Sequence, residues 1–183
     1  QRGTHAPESF AHFRETRDQL FGKHSQSALT LEQRQHFQGL RYYDYDPAYR
    51  VTAAVEVLQN PASYEIDAGD DGSVIIQEIG RASFTLPTGT GSLGIFWITG
   101  YGGGIFIPFR DLTNGDTTYG GGRYLLDTIK GADLGAEEQE LILDFNYAYH
   151  PSCYYNPRWT CPLAPMQNRL PFPIFAGEKK LEP

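Results

Sequence analysis

Between residues 49 and 145, apolar and polar positions alternate in short runs, which is the pattern of half-buried β-strands. The first run has apolar side chains at every second position, namely Tyr49, Val51, Ala53, Val55 and Val57. Further runs are expected at 62–67, 74–78, 81–86, 93–99, 105–109, 117–126 and 140–145, with glycine-rich turns at 69–72 and 100–104. Short strands without helical crossovers predict a mainly β fold, a single antiparallel β-barrel or sandwich.

Residues 1–40 have the wider spacing of helices, and two short helices are predicted there. Ser9 is placed to cap the first, and Gly22 ends it. Its apolar residues are Phe10, Phe13, Leu20 and Phe21, and its polar residues Arg14, Arg17 and Asp18 are expected to face solvent. Thr30 and Gln33 have the spacing of a capping box, so a second helix is predicted over 31–37.

The C-terminal segment, residues 146–183, is rich in proline and aromatic residues. Six of the fifteen residues from Phe145 to Trp159 are aromatic, and six of the twelve prolines lie between Pro151 and Pro173. Proline fixes φ and lacks an N–H donor, so neither a regular helix nor a central strand is expected. The composition predicts an ordered loop held by its aromatic side chains, and long ordered loops often carry function.

Length and charge favour one folded domain that binds neither nucleic acid nor membrane. The 183 residues carry 15 Lys and Arg against 22 Asp and Glu, a net charge of −7. Nucleic-acid binding needs a concentrated basic face, and a membrane span needs a run of about eighteen apolar residues. Two cysteines are few for a secreted disulfide framework and no secretory signal is visible, so a cytoplasmic location is expected, with N-terminal processing left open.

Two stretches resemble the signature of an uncharacterised prokaryotic family, domain-of-unknown-function family 1684. The first contains Pro108-Phe109-Arg110-Asp111 and Thr118-Tyr119-Gly120-Gly121-Gly122-Arg123-Tyr124-Leu125. The second contains Leu143-Asp144-Phe145-Asn146, Ala148-Tyr149, Cys153, Tyr155-Asn156, Cys161-Pro162, Asn168-Arg169-Leu170-Pro171 and Ala176-Gly177-Glu178. The resemblance extends over most of the chain and implies a single domain, but it brings no known activity.

Polar and aromatic residues of these stretches form the first candidate site. Arg110 and Arg123 flank a turn on adjacent strands, and two guanidinium groups at a barrel mouth could hold a carboxylate or phosphate. The alternative is that one arginine pairs with an aspartate and ties the hairpin to the C-terminal segment. The candidate ligand-binding residues are Arg110, Asp111, Tyr119, Arg123, Tyr124, Asp144, Asn146, Tyr149, Tyr155, Asn156 and Asn168.

Cys153 and Cys161, with His150 close in sequence, form a second candidate site. The three side chains could ligate zinc, although the spacing differs from that of a zinc knuckle. A disulfide would close a nine-residue loop and stabilise the fold by about 2.5 kcal/mol. A Cys–His nucleophile pair and two inert, buried thiols are the remaining readings.

The leading functional expectation is the binding of a small polar or anionic molecule at one end of the barrel, without a cofactor. One alternative is a hydrolase or a thiol- or metal-dependent enzyme that uses the cysteine region. The other is a structural or partner-binding module.

Overall fold

The alternating segment builds one curled antiparallel sheet in the computed structural model, which describes residues 6–67, 73–99, 104–127, 136–137 and 140–181. The helices are α1 (Ala6–Lys23), α2 (Leu31–Gln35) and α3 (Ser152–Tyr155). The strands are β1 (Arg41–Tyr42), β2 (Arg50–Asp67), β3 (Ser73–Leu86), β4 (Gly89–Thr99), β5 (Ile105–Phe109), β6 (Arg123–Asp127), β7 (Ala136–Glu137), β8 (Glu140–Asp144) and β9 (Glu178–Lys179).

The main sheet has the order β6-β5-β4-β3-β2-β8-β7, and β1 pairs separately with β9. Strands β2 to β6 form a meander, and β8 returns to the free edge of β2. The sheet curls until Tyr124 in β6 and Tyr149, just after β8, exchange backbone hydrogen bonds of 2.9 and 3.0 Å. The mainly β prediction is confirmed, as a curled half-barrel.

Several strand boundaries differ from the pattern-based prediction. The runs 49–57 and 62–67 form the single strand β2, with a register shift between Val57 and Ala62. Similarly, 74–78 and 81–86 merge into β3, with a shift between Glu78 and Gly80. A bulge inserts extra residues into a strand without ending it. The alternation of apolar and polar side chains is interrupted at the bulge, and therefore one bulged strand has the sequence pattern of two separate strands.

The predicted strand over 117–126 is wrong in its first half. Only Arg123 onward is extended, because Gly122 has φ of +98° and the preceding residues form turns. The side chains of Asn114 and Thr118 stabilise those turns with a hydrogen bond of 2.9 Å. The turn predicted around Asp70 and Asp71, and residues 100–103 of the second glycine turn, lie outside the described residues.

The helices form as predicted, with shifted ends. The capping box is present, since Thr30 Oγ1 accepts the Gln33 N–H at 3.1 Å and Gln33 Oε1 accepts the Thr30 N–H at 2.8 Å. Helix α1 starts before Ser9, which therefore does not cap it. The prediction that Arg17 faces solvent is wrong, because its guanidinium forms a 2.9 Å ion pair with the fully buried Glu178.

The C-terminal segment is mostly irregular, as its prolines predict, and packs against the sheet, but it also contains the one-turn helix α3, which was not expected, and the two-residue strand β9. Its residues Leu170, Ile174 and Ala176 are buried in the main core with the apolar face of the sheet. A second apolar cluster joins α1 to Tyr155 of this segment. Within the described ranges, no helix has the length and apolar character needed to cross a membrane.

Candidate functional site

Arg123, the central residue of the first candidate site, faces the interior of the molecule. Its Nη2 forms a 2.7 Å ion pair with Asp111 and donates to the Ile174 carbonyl at 3.0 Å. Its Nη1 donates to the Ala176 carbonyl. The side chain has no exposed surface. Arg123 thus ties the β5–β6 hairpin to the C-terminal segment. This is the alternative prediction, in which an arginine pairs with an aspartate instead of binding an anion.

Three buried amide and carboxylate side chains of the same candidate site also bind protein groups. Asp144 accepts the N–H of Asn146 at 3.1 Å and its side-chain amide at 2.8 Å, while burial raises the pKa of Asp144. The Asn146 amide also hydrogen-bonds the backbone of Asp46. Asn168 accepts the N–H of Gly94 at 2.7 Å and donates to the carbonyls of Gly94 and Pro108. These contacts join strands and loops to each other.

The remaining buried members contact other parts of the fold. Tyr124 donates to the Pro162 carbonyl at 2.7 Å, and Asn156 accepts the backbone N–H of Arg158. The ring of Tyr149 lies 4.8 Å below the guanidinium of Arg17. The structure therefore brings most of the predicted residues together around the C-terminal segment, but it uses their polar groups internally.

Arg110 and Tyr119 are partly exposed, and Tyr119 lies near the two cysteines. The Arg110 guanidinium donates to the Gly121 carbonyl at 3.3 Å, and burial together with the nearby Cys153 raises the pKa of Tyr119. The backbone N–H of Cys153 lies 3.3 Å from Cys161 Sγ. Both cysteines are free and partly exposed.

His150 belongs to a different, buried cluster. Its Nε2 accepts the Tyr119 N–H at 3.2 Å, so Nδ1 carries the proton and lies 3.7 Å from Glu178 Oε1. Burial and the nearby Arg123, Arg17 and Lys180 hold the pKa of His150 well below its usual value. Among the described residues, no three His, Cys, Asp or Glu side chains are grouped to hold a metal ion.

One concave surface of the described structure is a cleft of 860 Å³ beside the helices. Arg14 and Asp18 of α1 line one side, and residues 36–41, which follow α2, line another. Tyr154, Tyr155 and Leu181 of the C-terminal segment complete it. Of the predicted ligand-binding residues, Tyr155 lies in this cleft.

The described residues that line the cleft carry more positive than negative charge, unlike the protein as a whole. In the described part of the chain, Arg14 and Arg41 line it together with one carboxylate, Asp18, whose Oδ1 accepts the Leu40 N–H at 2.7 Å. The Arg14 guanidinium lies 5.2 Å from the ring centre of Tyr42 and has no ion-pair partner in the described part of the chain. An anion is the complementary ligand for such a surface.

Sequence reasoning missed the cleft, because it placed Arg14 and Asp18 on a solvated helix face. The cleft is formed by three segments distant in the chain, α1, residues 33–41 and the C-terminal segment. The capping box of Thr30 and Gln33 is the sequence feature that relates to the cleft. Its Gln33 side-chain amide also donates to the Tyr155 carbonyl at 3.0 Å. That contact joins α2 to the C-terminal segment.

Comparison with known proteins identifies relatives without an assigned activity. The family model described as "Protein of unknown function (DUF1684)" matches residues 35–179. The solution NMR structure of an uncharacterised protein from Haloarcula marismortui, gene locus rrnAC0354, is similar with a TM-score of 0.68 and 35% sequence identity. The match covers 94% of this chain and 93% of that chain. No curated protein matches the sequence.

Proposed function

The chain belongs to the DUF1684 family of proteins of unknown function, and from that premise we propose that its cleft binds a small organic anion. The observation that carries the proposal is the half-buried Arg14, which lines the cleft and whose guanidinium contacts, among the described residues, the aromatic rings of Phe10 and Tyr42. A guanidinium is suited to bind a carboxylate or phosphate through two parallel hydrogen bonds.

The size and walls of the cleft support a small organic ligand. Pockets for such ligands have volumes of about 300–1,000 Å³ and combine apolar walls with a few polar groups, and this cleft measures 860 Å³. Leu29, Phe37 and Leu40 supply apolar surface. The Tyr155 hydroxyl is buried without a hydrogen-bond partner among the described residues.

The proposed site differs from the barrel-end site expected from the sequence. Arg123 donates to Asp111 and to carbonyl groups of the C-terminal segment, so its guanidinium is not offered to a ligand. The ligand class, a small anion, is the same. The site that we propose lies between α1 and Tyr155 instead.

Phenyl phosphate is a suitable probe because it joins a small anion to an apolar ring. Titration of the ¹⁵N-labelled protein should shift the backbone amide signals of residues 36–41 and of Tyr154 and Tyr155. In Arg14→Gln the affinity should fall about tenfold or more, since a hydrogen bond to a charged group contributes about 1.5–3 kcal/mol.

Arg169→Gln is the matched control, because Arg169 is exposed and is not among the residues that line the cleft. It makes the same change in net charge and should leave the affinity unchanged. Signal shifts confined to other surfaces, or equal affinities for Arg14→Gln and Arg169→Gln, would contradict the proposal.

A further inference from the structure

The two thiols of the chain are neighbours in the folded protein. The backbone N–H of Cys153, in α3, lies 3.3 Å from Cys161 Sγ. The thiol of Cys153 also hydrogen-bonds to Cys161, and that bond together with burial raises the pKa of the Cys153 thiol. A cysteine sulfur this close to the backbone of the other cysteine is near enough for a disulfide to be considered.

The thiol pair is accessible, which separates it from inert cysteines of a core. Both residues are only partly buried, and the partly exposed Tyr119 lies close to them. After α3 ends at Tyr155, residues 156–160 lead to Cys161 through a turn and irregular backbone. A small reagent can therefore reach a sulfur, and the bond can form within one loop.

We propose that Cys153 and Cys161 are a redox-active dithiol, which a small disulfide such as oxidised glutathione converts reversibly to an intramolecular disulfide. Neither cysteine lines the cleft, although Tyr154 and Tyr155, which follow Cys153 in α3, do. Because the backbone N–H of Cys153 points at the Cys161 sulfur, Cys161 is the sulfur better prepared to carry negative charge.

Thiol–disulfide exchange balances the reaction without a metal or cofactor. The Cys161 thiolate attacks one sulfur of the small disulfide, whose S–S bond breaks and releases the first thiolate. The Cys153 thiol then loses its proton, and its thiolate attacks the Cys161 sulfur and displaces the second thiolate. Two protein thiols are oxidised, one small disulfide is reduced to two thiols, and the two protons from the cysteines end on those thiols.

The test equilibrates the full chain with mixtures of reduced and oxidised glutathione, labels free thiols with N-ethylmaleimide and measures the intact mass. As the oxidised fraction of glutathione rises, both labels should be lost together from the monomer, and dithiothreitol should restore both. The reading is unambiguous because the chain has only two cysteines. The proposal is overturned if both labels persist throughout, or if the glutathione adduct or a disulfide-linked dimer accumulates instead.

Cys153→Ser and Cys161→Ser separate the roles of the two sulfurs. Cys153→Ser should stop at the glutathione adduct, because the resolving thiol is absent, and it should react with oxidised glutathione about tenfold faster than Cys161→Ser does. Equal rates, or a faster reaction of Cys161→Ser, would contradict the assignment of Cys161 as the attacking thiol. The wild-type titration needs neither variant, so it decides the pairing even if one variant fails to fold.

Discussion

Arg123 Nη2 and Asp111 Oδ2 lie 2.7 Å apart, and neither side chain has any exposed surface. The pair joins the end of the β5–β6 hairpin to the C-terminal segment through the carbonyls of Ile174 and Ala176. A charge buried this completely needs its partner, since the interior solvates a lone ion poorly. The contact explains why these two polar residues lie in the middle of the fold.

Breaking this pair should destabilise the fold strongly. Arg123→Met leaves the Asp111 carboxylate buried without its counter-ion, and we expect a loss of about 3–5 kcal/mol in the free energy of unfolding. Asp111→Asn should reduce the free energy of unfolding by a similar amount, because it leaves the buried Arg123 guanidinium without its counter-ion. Urea unfolding followed by circular dichroism measures both changes.

The double variant is the control for this ion pair. Arg123→Met with Asp111→Asn removes both charges, so its loss of stability should be smaller than the sum of the two single losses by about 1–3 kcal/mol. Strict additivity would mean that the two side chains stabilise the fold independently, against our interpretation.

Asn168 should be as important for stability as an apolar core residue. Asn168→Ala removes three hydrogen bonds to the backbone of Gly94 and Pro108. Because buried groups left without partners cost about 1–3 kcal/mol each, the thermal midpoint should fall markedly. Met166→Ala, on the same turn but 70% exposed, should change it little, and a similar fall for both variants would refute this role of Asn168.

Three glycines form a graded test of backbone strain. Gly177 has φ of +79°, and an added Cβ would lie 2.7 Å from the carbonyl oxygens of Phe145 and Ala148. Gly115 has φ of +90° with open space around it, and Gly120 has open space without a positive φ. Substitution by alanine should cost little at Gly120, about 1–2 kcal/mol at Gly115, and about 1–3 kcal/mol more at Gly177.

Chemical denaturation of the three alanine variants measures this series. The order of the losses matters more than their size, because positive φ alone acts at Gly115, whereas positive φ and steric overlap act together at Gly177. A Gly177→Ala protein as stable as Gly115→Ala would show that the backbone around Ala148 can move aside.

Glu178 and His150 should give the stability two opposing pH dependences. Burial raises the pKa of Glu178 from 4.5 to about 7, although the Arg17 guanidinium and the backbone N–H of His150 favour the charged form of the carboxylate. The folded protein therefore binds the proton of the Glu178 carboxyl group more tightly than the unfolded chain does. The contribution of this proton to the free energy of unfolding is lost as the pH rises toward 7. His150 has a pKa lowered from 6.5, so its contribution is lost as the pH falls below 6.5.

His150→Asn isolates the glutamate. The free energy of unfolding of this variant should decrease between pH 5 and 7.5 more steeply than that of the wild type, by up to about 1.4 kcal/mol per pH unit. Urea denaturation at several pH values measures the slope. In Glu178→Gln the slope should have the opposite sign, and parallel slopes in all three proteins would rule out titration of this pair.

The amino-acid sequence determined the local structure, because local structure depends on neighbouring residues. The capping box of Thr30 and Gln33, the strand Ile105–Phe109 and the irregular proline-rich segment follow from spacing and backbone chemistry within a few positions. The family resemblance follows from the two stretches around Arg123 and Cys153 in the same way. The single domain and the cytoplasmic location stay predictions.

Tertiary structure decided what each polar side chain does, because burial and partners depend on residues far apart in the chain. Arg17 meets Glu178 across 161 positions, and Arg123 meets Ile174 across 51. No periodicity within α1 distinguishes Arg17, which is buried in an ion pair, from Arg14, which lines the cleft one turn earlier. A spacing pattern reports which face of an element is apolar, whereas the charge and the partners of a site arise only when separate segments pack together.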